Sequence, residues 1–302
     1  MRLYVWRGLE RNFGDELNTL LWPRLAPGLL DADEAELFLG IGSVLDARHP
    51  AGSRKVVAGA GYGGYEPPAS LDGSWVVYWV RGPRTARLLG LPSSLGLGDP
   101  ASLLPIVCPI ESVPMPGRIG FMPHFESLAR GAWPEVCEAA GVTLIDPRGA
   151  PETILAAMAT CRLLMSEALH GVIVADALRV PWVALTPIVP VHRAKWLDWA
   201  DSLGLMVRFA PLAPSSSRER SAAAGAWAWT RRVGRDAALK DRAVSALRRA
   251  AAASPQLSDP AALDRARARM LSRLHMLRSD RMRPHQRRDV IAATASALAS
   301  LR

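Results

Sequence analysis

Short apolar runs alternate with segments of helical spacing through the first two hundred residues, and then the alternation stops. Leu3–Trp6, Leu37–Leu39, Lys55–Ala58 and Trp75–Val80 are short and apolar, so they read as strands. Leu17, Leu20, Leu21 and Leu25 recur at helical spacing, predicting a helix from Asp15 to Leu25 that Pro23 kinks or ends. Pro83 to Leu89 predicts a second helix, with its proline in the first turn where no amide is missed. A second series places strands at Arg118–Phe121, Thr143–Ile145, Cys161–Met165 and Val183–Leu185. Its helices are Trp133–Ala140, Pro151–Ala159 and Lys195–Leu203, the last closed by Gly204. After about residue 210 the chain is Ala/Arg-rich and helical, with Arg265–Arg278 the most regular stretch.

Strand and helix in alternation predict parallel sheets covered by helices. Pro105, Pro109, Pro114 and Pro116 crowd the segment from Leu104 to Gly117 and make it the best linker. The expected fold is therefore α/β and GT-B-like, with two Rossmann-like domains facing across a cleft. Residues 1–107 would form the first of these domains and 108–205 the second. Residues 206–302 would form a basic helical extension. A single larger doubly wound sheet is the competing fold.

Charge sharpens this division. The net +9 resolves into +13 over residues 206–302 and −4 over residues 1–205. The basic segment mixes Leu263, Met270, Leu271, Leu274 and Leu277 with arginines at helical spacing. Packing across both domains is its first expected role and peripheral contact with anionic lipid its second. Nucleic acid is not expected, because interleaved aromatics and recognition motifs are missing. Cys108, Cys137 and Cys161 are scattered and odd in number, which suits free thiols in the cytoplasm. The amino terminus has Arg7, Glu10 and Arg11 where a leader would need continuous apolar residues. No apolar run approaches the roughly 20 residues of a membrane-spanning helix.

Candidate chemistry gathers at strand-to-helix turns, where helix amides favour anions. His170 and Gly171 lie at such a turn, within the run from Ser166 to Trp182. Asn12, Gly14, Asp15, Glu16 and Asn18 surround another; capping explains one of them, and the rest suit hydrogen bonding to a polyhydroxylated ligand. Arg81, Arg84 and Thr85 form a third, where two guanidiniums could clamp a carboxylate or phosphate or simply be solvated. Asp99, between Gly98 and Pro100, reads as a turn residue. His124, His170 and His192 follow consecutive strands of one domain, with Lys195 close behind. Gly59 to Gly64 satisfies G-x-G-x-x-G, but Pro67 and Pro68 replace the required helix, so its glycines are expected to line a cleft. No metal-ligand spacing is present, and no metal is expected.

Asn-Phe-Gly-Asp-Glu-Leu-Asn (12–18), Gly-Ile-Gly-Ser-Val-Leu (40–45), Arg-Gly-Pro-Arg-Thr (81–85), Gly-Asp-Pro (98–100) and the Ser166–Trp182 run occur in order. Together they resemble the polysaccharide pyruvyltransferase family, in its exopolysaccharide, succinoglycan-type branch, over about residues 2–205. The resemblance implies a GT-B-like fold and transfer of pyruvate from phosphoenolpyruvate onto two hydroxyls of one sugar. The donor is a substrate, and no cofactor is implied. His170 is then the acid/base, with Asp15 and Glu167 as further candidate catalytic groups. Arg81 and Arg84 would hold the donor's anionic groups. Asn12, Gly14, Asn18, Gly42, Ser43, His124, Ser166 and Lys195 complete the expected substrate contacts. Many members carry an arginine two residues before the histidine, implicated in donor binding. Here Ala168 stands in its place, leaving Arg81, Arg84 or Lys195 to supply the cation. A nucleotide-sugar glycosyltransferase of the same fold and a catalytically weakened glycan-binding protein remain as alternatives. The acceptor would be a glycan or a lipid-linked repeat unit, which places the chain in the cytoplasm or at the inner face of the membrane.

Overall fold

The computed structural model describes residues 1–224 and 236–281. In chain order the first half runs β1 (Arg2–Leu3), α1 (Phe13–Leu25), β2 (Glu36–Leu39), β3 (Arg54–Ala58), β4 (Trp75–Trp79), α2 (Pro83–Leu88) and α3 (Leu104–Val107). There follow β5 (Ile119–Met122), α4 (Phe125–Arg130), α5 (Trp133–Ala140), β6 (Thr143–Leu144), α6 (Pro151–Ala159), β7 (Leu163–Ser166), α7 (Leu169–Ala177), β8 (Trp182–Leu185), α8 (Arg193–Ser202) and β9 (Phe209–Ala210). Helices α9 (Ser217–Ala223), α10 (Asp236–Ala251) and α11 (Pro260–Arg281) complete the described chain.

Two parallel sheets result, ordered β1-β2-β3-β4 and β6-β5-β7-β8-β9. Both were expected, and an α/β fold compatible with two Rossmann-like units is what forms. The first unit departs from strict alternation: only its β1–β2 connection carries a long helix, while β2–β3 and β3–β4 are joined by loops. In the second, the chain steps from β5 out to β6 and then crosses back past β5 to β7. Strand order thus reverses between β5 and β7, and their carboxyl ends flank the crevice where such sheets bind ligands. His124 and Glu167 follow those two ends directly, and α7 starts there.

Local sequence explains these elements. β7 and β8 are buried at every position, which is why both read as continuous apolar runs rather than alternating ones. α7 is buried on nearly all sides and is almost wholly apolar after His170. α1 runs two residues beyond Pro23, which lacks the amide that would donate to the Thr19 carbonyl, and the helix ends within that turn. The proline-rich segment is not all linker, since Leu104–Val107 forms α3 before the chain extends toward β5.

The described helices of the basic carboxyl-terminal segment pack against both sheets. Ala243, Leu247 and Ala250 of α10 join Phe121, Trp133, Met165 and Val183 in one core. Met270, Leu271, Leu274 and Leu277 of α11 join another that continues from Trp22 of α1 and Trp79 of β4 to Trp182 of β8 and Trp196 of α8. Arg267 ties the halves further, donating to the carbonyls of Ser102 and Ala177. Residues 282–302, the end of the expected extension, lie outside the described residues. Among the described residues no helix is long and apolar enough to cross a membrane.

Candidate active site

His170 occupies the first turn of α7, and its side chain is 15% exposed. Helix α1 comes from the other sheet to meet it. A Cβ built on Gly14 would lie 2.0 Å from the Nδ1 of His170, so only glycine lets the two helix starts approach this closely. α1 is held there by the Phe13 amide, which donates to the carbonyl of Pro147 at 2.7 Å. On the far side of the ring, Nε2 stands 3.3 Å from Oδ2 of Asp99. Both atoms are buried, and the pair falls short of an aligned hydrogen bond. Gly14→Ala should therefore push the imidazole off its position and lower kcat by ~10²-fold, as misplacements near 1 Å do. Steady-state kinetics on the folded variant check this, and a rate within twofold of wild type would count against His170 as the reacting group.

Asp15 is buried one residue further along α1 and accepts from the Asn12 carboxamide at 2.6 Å. Burial raises its pKa, while Asn12, His170, Lys195 and Arg7 each pull it back. Gly42 passes close to the same carboxylate, at positive φ. Asn12, Gly14, Asp15, Gly42 and His170 are thus brought together by the structure as one cluster.

Several other expected ligands are committed to the fold. The Asn18 carboxamide donates to the carbonyls of Asp15 and Ile41 and accepts from the Ile41 amide and the Trp22 indole. Those four bonds exhaust its capacity, so the carboxamide expected to contact the acceptor is fully engaged within the fold. Glu167, expected as a further catalytic group, is held internally. Its carboxylate is 1% exposed and accepts from the His124 and Ile188 amides and the Ser127 hydroxyl, pinning the switch-point loops together. Burial raises its pKa, and those donors lower it. Ser166 is fully buried, and its hydroxyl serves the backbone of Met122 and Ala168.

The arginine pair is likewise internal. Arg81 is 1% exposed and donates to Asp198, the Ser43 hydroxyl and the Tyr62 carbonyl. Ser43 is thereby used as an acceptor for Arg81. Arg84 sits at the surface, paired with Asp201 at 2.8 Å. Both guanidiniums are thus paired with carboxylates of α8. Glycines 59 and 61 make room for Pro100 and Arg81, rather than lining an open cleft as expected.

A second cluster forms beside the switch point. His124 and His192 stack at 4.1 Å between ring centroids, and the Nδ1 of His124 is buried without a partner. Lys195 donates to the Tyr65 hydroxyl at 3.2 Å. That hydroxyl lies 2.8 Å from Nδ1 of His192, and Nε2 of His192 faces Glu126 at 3.4 Å. Burial lowers both imidazoles' pKa values, His124 far more, and Lys195 adds to the effect. Glu126 is lowered, first by its bond to His192. The ligand atoms of His124, Glu126 and His192 lie within 4.8 Å of one another, close enough to hold a metal ion. The Lys195 ammonium opposes a cation there and suits an anion instead. Lys195 forms no salt bridge among the described residues, unlike Arg81 and Arg84.

Comparison with known proteins decides the family. The chain is 33% identical over 315 aligned positions to the succinoglycan biosynthesis protein ExoV of Rhizobium meliloti (strain 1021), covering 93% of this chain and 99% of that protein. The chain belongs to the succinoglycan-type polysaccharide pyruvyltransferase family. No protein-family model matches it, and no solved structure does.

For a member of this family, two residues stand at the site without a signal in the sequence that marked them. Asp99 reads as a turn residue, and the cap it forms on the 3-10 turn Pro100–Leu103 supports that, but its second oxygen faces His170 across 71 positions of sequence. Tyr65 carried no signal, lying in the β3–β4 loop without a motif beyond its glycines. At Ala168, the N-cap of α7, the side chain packs against the main core, so the chain presents no cation from that position.

Proposed function

We propose that the chain transfers the pyruvyl group of phosphoenolpyruvate onto two hydroxyls of a sugar, closing a cyclic ketal and releasing phosphate. The acceptor would be an exopolysaccharide or its lipid-linked repeat unit, in line with the biosynthetic role named for ExoV. An acceptor of that kind would have the enzyme act in the cytoplasm or at the inner face of the membrane. The domains would sit in a GT-B-like arrangement, with acceptor and donor approaching from the two sheets. One observation carries the reading: the reactive face of His170 opens onto the Asn12–Asp15 end of α1, with Lys195 acting on the same carboxylate.

The chemistry asks for a proton shuttle. The first sugar hydroxyl adds to C2 of the donor as its methylene carbon C3 is protonated. His170 takes the hydroxyl proton and returns one to C3, a contribution of about 10²–10⁴-fold in rate. The second hydroxyl then attacks C2, phosphate leaves, and that hydroxyl's proton departs with it. Asn12 and Asp15 orient the acceptor, and Lys195 with the unpartnered His124 holds the donor's anionic groups.

The deciding experiment mixes the protein with phosphoenolpyruvate and a panel of glycan and lipid-linked acceptors and follows phosphate. Acceptor-dependent release is expected; turnover that requires a nucleotide sugar instead would overturn the proposal, as would acceptor binding without donor consumption. Lys195→Met should raise the KM for phosphoenolpyruvate ~10-fold or more with a smaller change in kcat, the loss of about 1.4 kcal/mol of charge-assisted binding. An unchanged KM would remove Lys195 from the donor site.

A further inference from the structure

We propose that Asp99 is a positioning residue which fixes the tautomer of His170, so that Nδ1, facing Gly14 and Asp15, is the nitrogen that moves the proton. The role in catalysis rests on the function proposed above, but the tautomer does not depend on it.

Each oxygen of Asp99 has its own neighbour. Oδ1 accepts the Ala101 amide at 3.0 Å and closes the 3-10 turn Pro100–Leu103. The backbone carbonyl of Asp99 accepts the Ser102 amide and hydroxyl, so the residue is held at both ends. Oδ2 is left buried, with Nε2 of His170 as the polar atom beside it at 3.3 Å, and Nε2 is equally buried and unpartnered. Two buried polar atoms without other partners are costly apart and favourable together. A carboxylate only accepts, so Nε2 must carry the hydrogen. In the neutral ring Nδ1 then holds the lone pair, and Nδ1 is the atom that meets the glycine at the start of α1.

The turn is braced as a positioning role requires. Gly98 adopts φ +139°, and a Cβ there would press on Met270 of α11, so the carboxyl-terminal helix backs the Gly98–Asp99–Pro100 corner. Pro100 seats against Gly59. The off-axis contact between Asp99 and His170 suits a resting enzyme, because such bonds tighten as charge develops. When Nδ1 takes the hydroxyl proton, the imidazolium's Nε2–H points at the Asp99 carboxylate, which stabilises it without accepting the proton.

Asp99→Asn discriminates because the Ala101 amide is itself a donor. The asparagine must turn its carbonyl toward Ala101 and its NH2 toward His170, which forces the hydrogen onto Nδ1 and blocks the lone pair. The test records ¹⁵N chemical shifts of the histidine rings, with His170 assigned by the signal lost in His170→Gln. Wild type is expected to show a protonated Nε2 and a lone-pair Nδ1, and Asp99→Asn the reverse. With phosphoenolpyruvate and acceptor, Asp99→Asn should lower kcat about 10²–10⁴-fold and leave the donor KM within threefold. A wild-type ring protonated on Nδ1, or an Asp99→Asn variant with unchanged shifts or unchanged kcat, would overturn the proposal. If Asp99→Asn does not fold, the wild-type spectrum alone still decides. Should wild type release no phosphate with any acceptor, the proposed function fails while the ring shifts still judge the Asp99–His170 pair.

Discussion

His170→Ala should reduce acceptor-dependent phosphate release by about 10²–10⁴-fold while leaving the chain folded. The ring packs between Asp99 and the start of α1, so its removal opens a small cavity and strands one carboxylate oxygen. That costs about 1–3 kcal/mol, a fraction of a typical domain's stability. Circular dichroism and a melting curve separate this loss from a loss of chemistry. If His170 and Asp99 act as one unit, the double variant with Asp99→Asn should be no slower than His170→Ala alone. Near-normal phosphate release from a folded His170→Ala protein would dismiss His170 as the acid/base.

The second sheet was the more legible half of the fold, for a physical reason. Its central strands are buried on both faces, and its helices α5 and α6 begin with proline in the first turn, so runs and boundaries stand out in one dimension. Both helices fall where the pattern puts them. β1 shows the opposite case: Leu3–Trp6 is apolar throughout, yet the strand is only Arg2–Leu3, because Trp6 turns away to meet Phe125 beyond the second sheet. α4 is too short for periodicity to announce it, and β9 is two residues long.

The site was legible in its elements and less so in its partners. Strand-to-helix turns marked His170, Gly14 and Asp15, because the rule that places ligands there is topological. Arg81, Asn18 and Glu167 also carry ligand-like chemistry, but a guanidinium or carboxylate suits an internal partner as well as a substrate. Those partners are remote: Ile41 lies 23 residues from Asn18, and Asp198 lies 117 from Arg81. Asp99 was hidden the other way round, since its turn is a sufficient local explanation of the residue.

Asp198→Ala should be the most destabilising single change at the junction of the two sheets. Its carboxylate, 4% exposed, accepts from Arg81, the Thr85 amide at 2.9 Å and the Thr85 hydroxyl at 2.6 Å. Gly82 passes so near the Asp198 backbone that a Cβ would lie 1.9 Å from its carbonyl oxygen, so the gap cannot close by a shift of α2. Removing the carboxylate leaves a guanidinium buried without its counter-charge, which costs about 3–5 kcal/mol. The neighbouring Arg84–Asp201 pair is half-exposed, and Arg84→Ala should cost about 0–1 kcal/mol. Urea unfolding of the two variants measures the contrast directly, as a large fall in midpoint for Asp198→Ala and a small one for Arg84→Ala. The comparison also tests what Arg81 is for. A donor-binding Arg81 would make Arg81→Ala raise the KM for phosphoenolpyruvate with little loss of stability, and would leave Asp198→Ala stable. An internal Arg81, as its three bonds to Asp198, Ser43 and Tyr62 require, makes Arg81→Ala and Asp198→Ala lose stability together, and leaves the charge for the donor to Lys195.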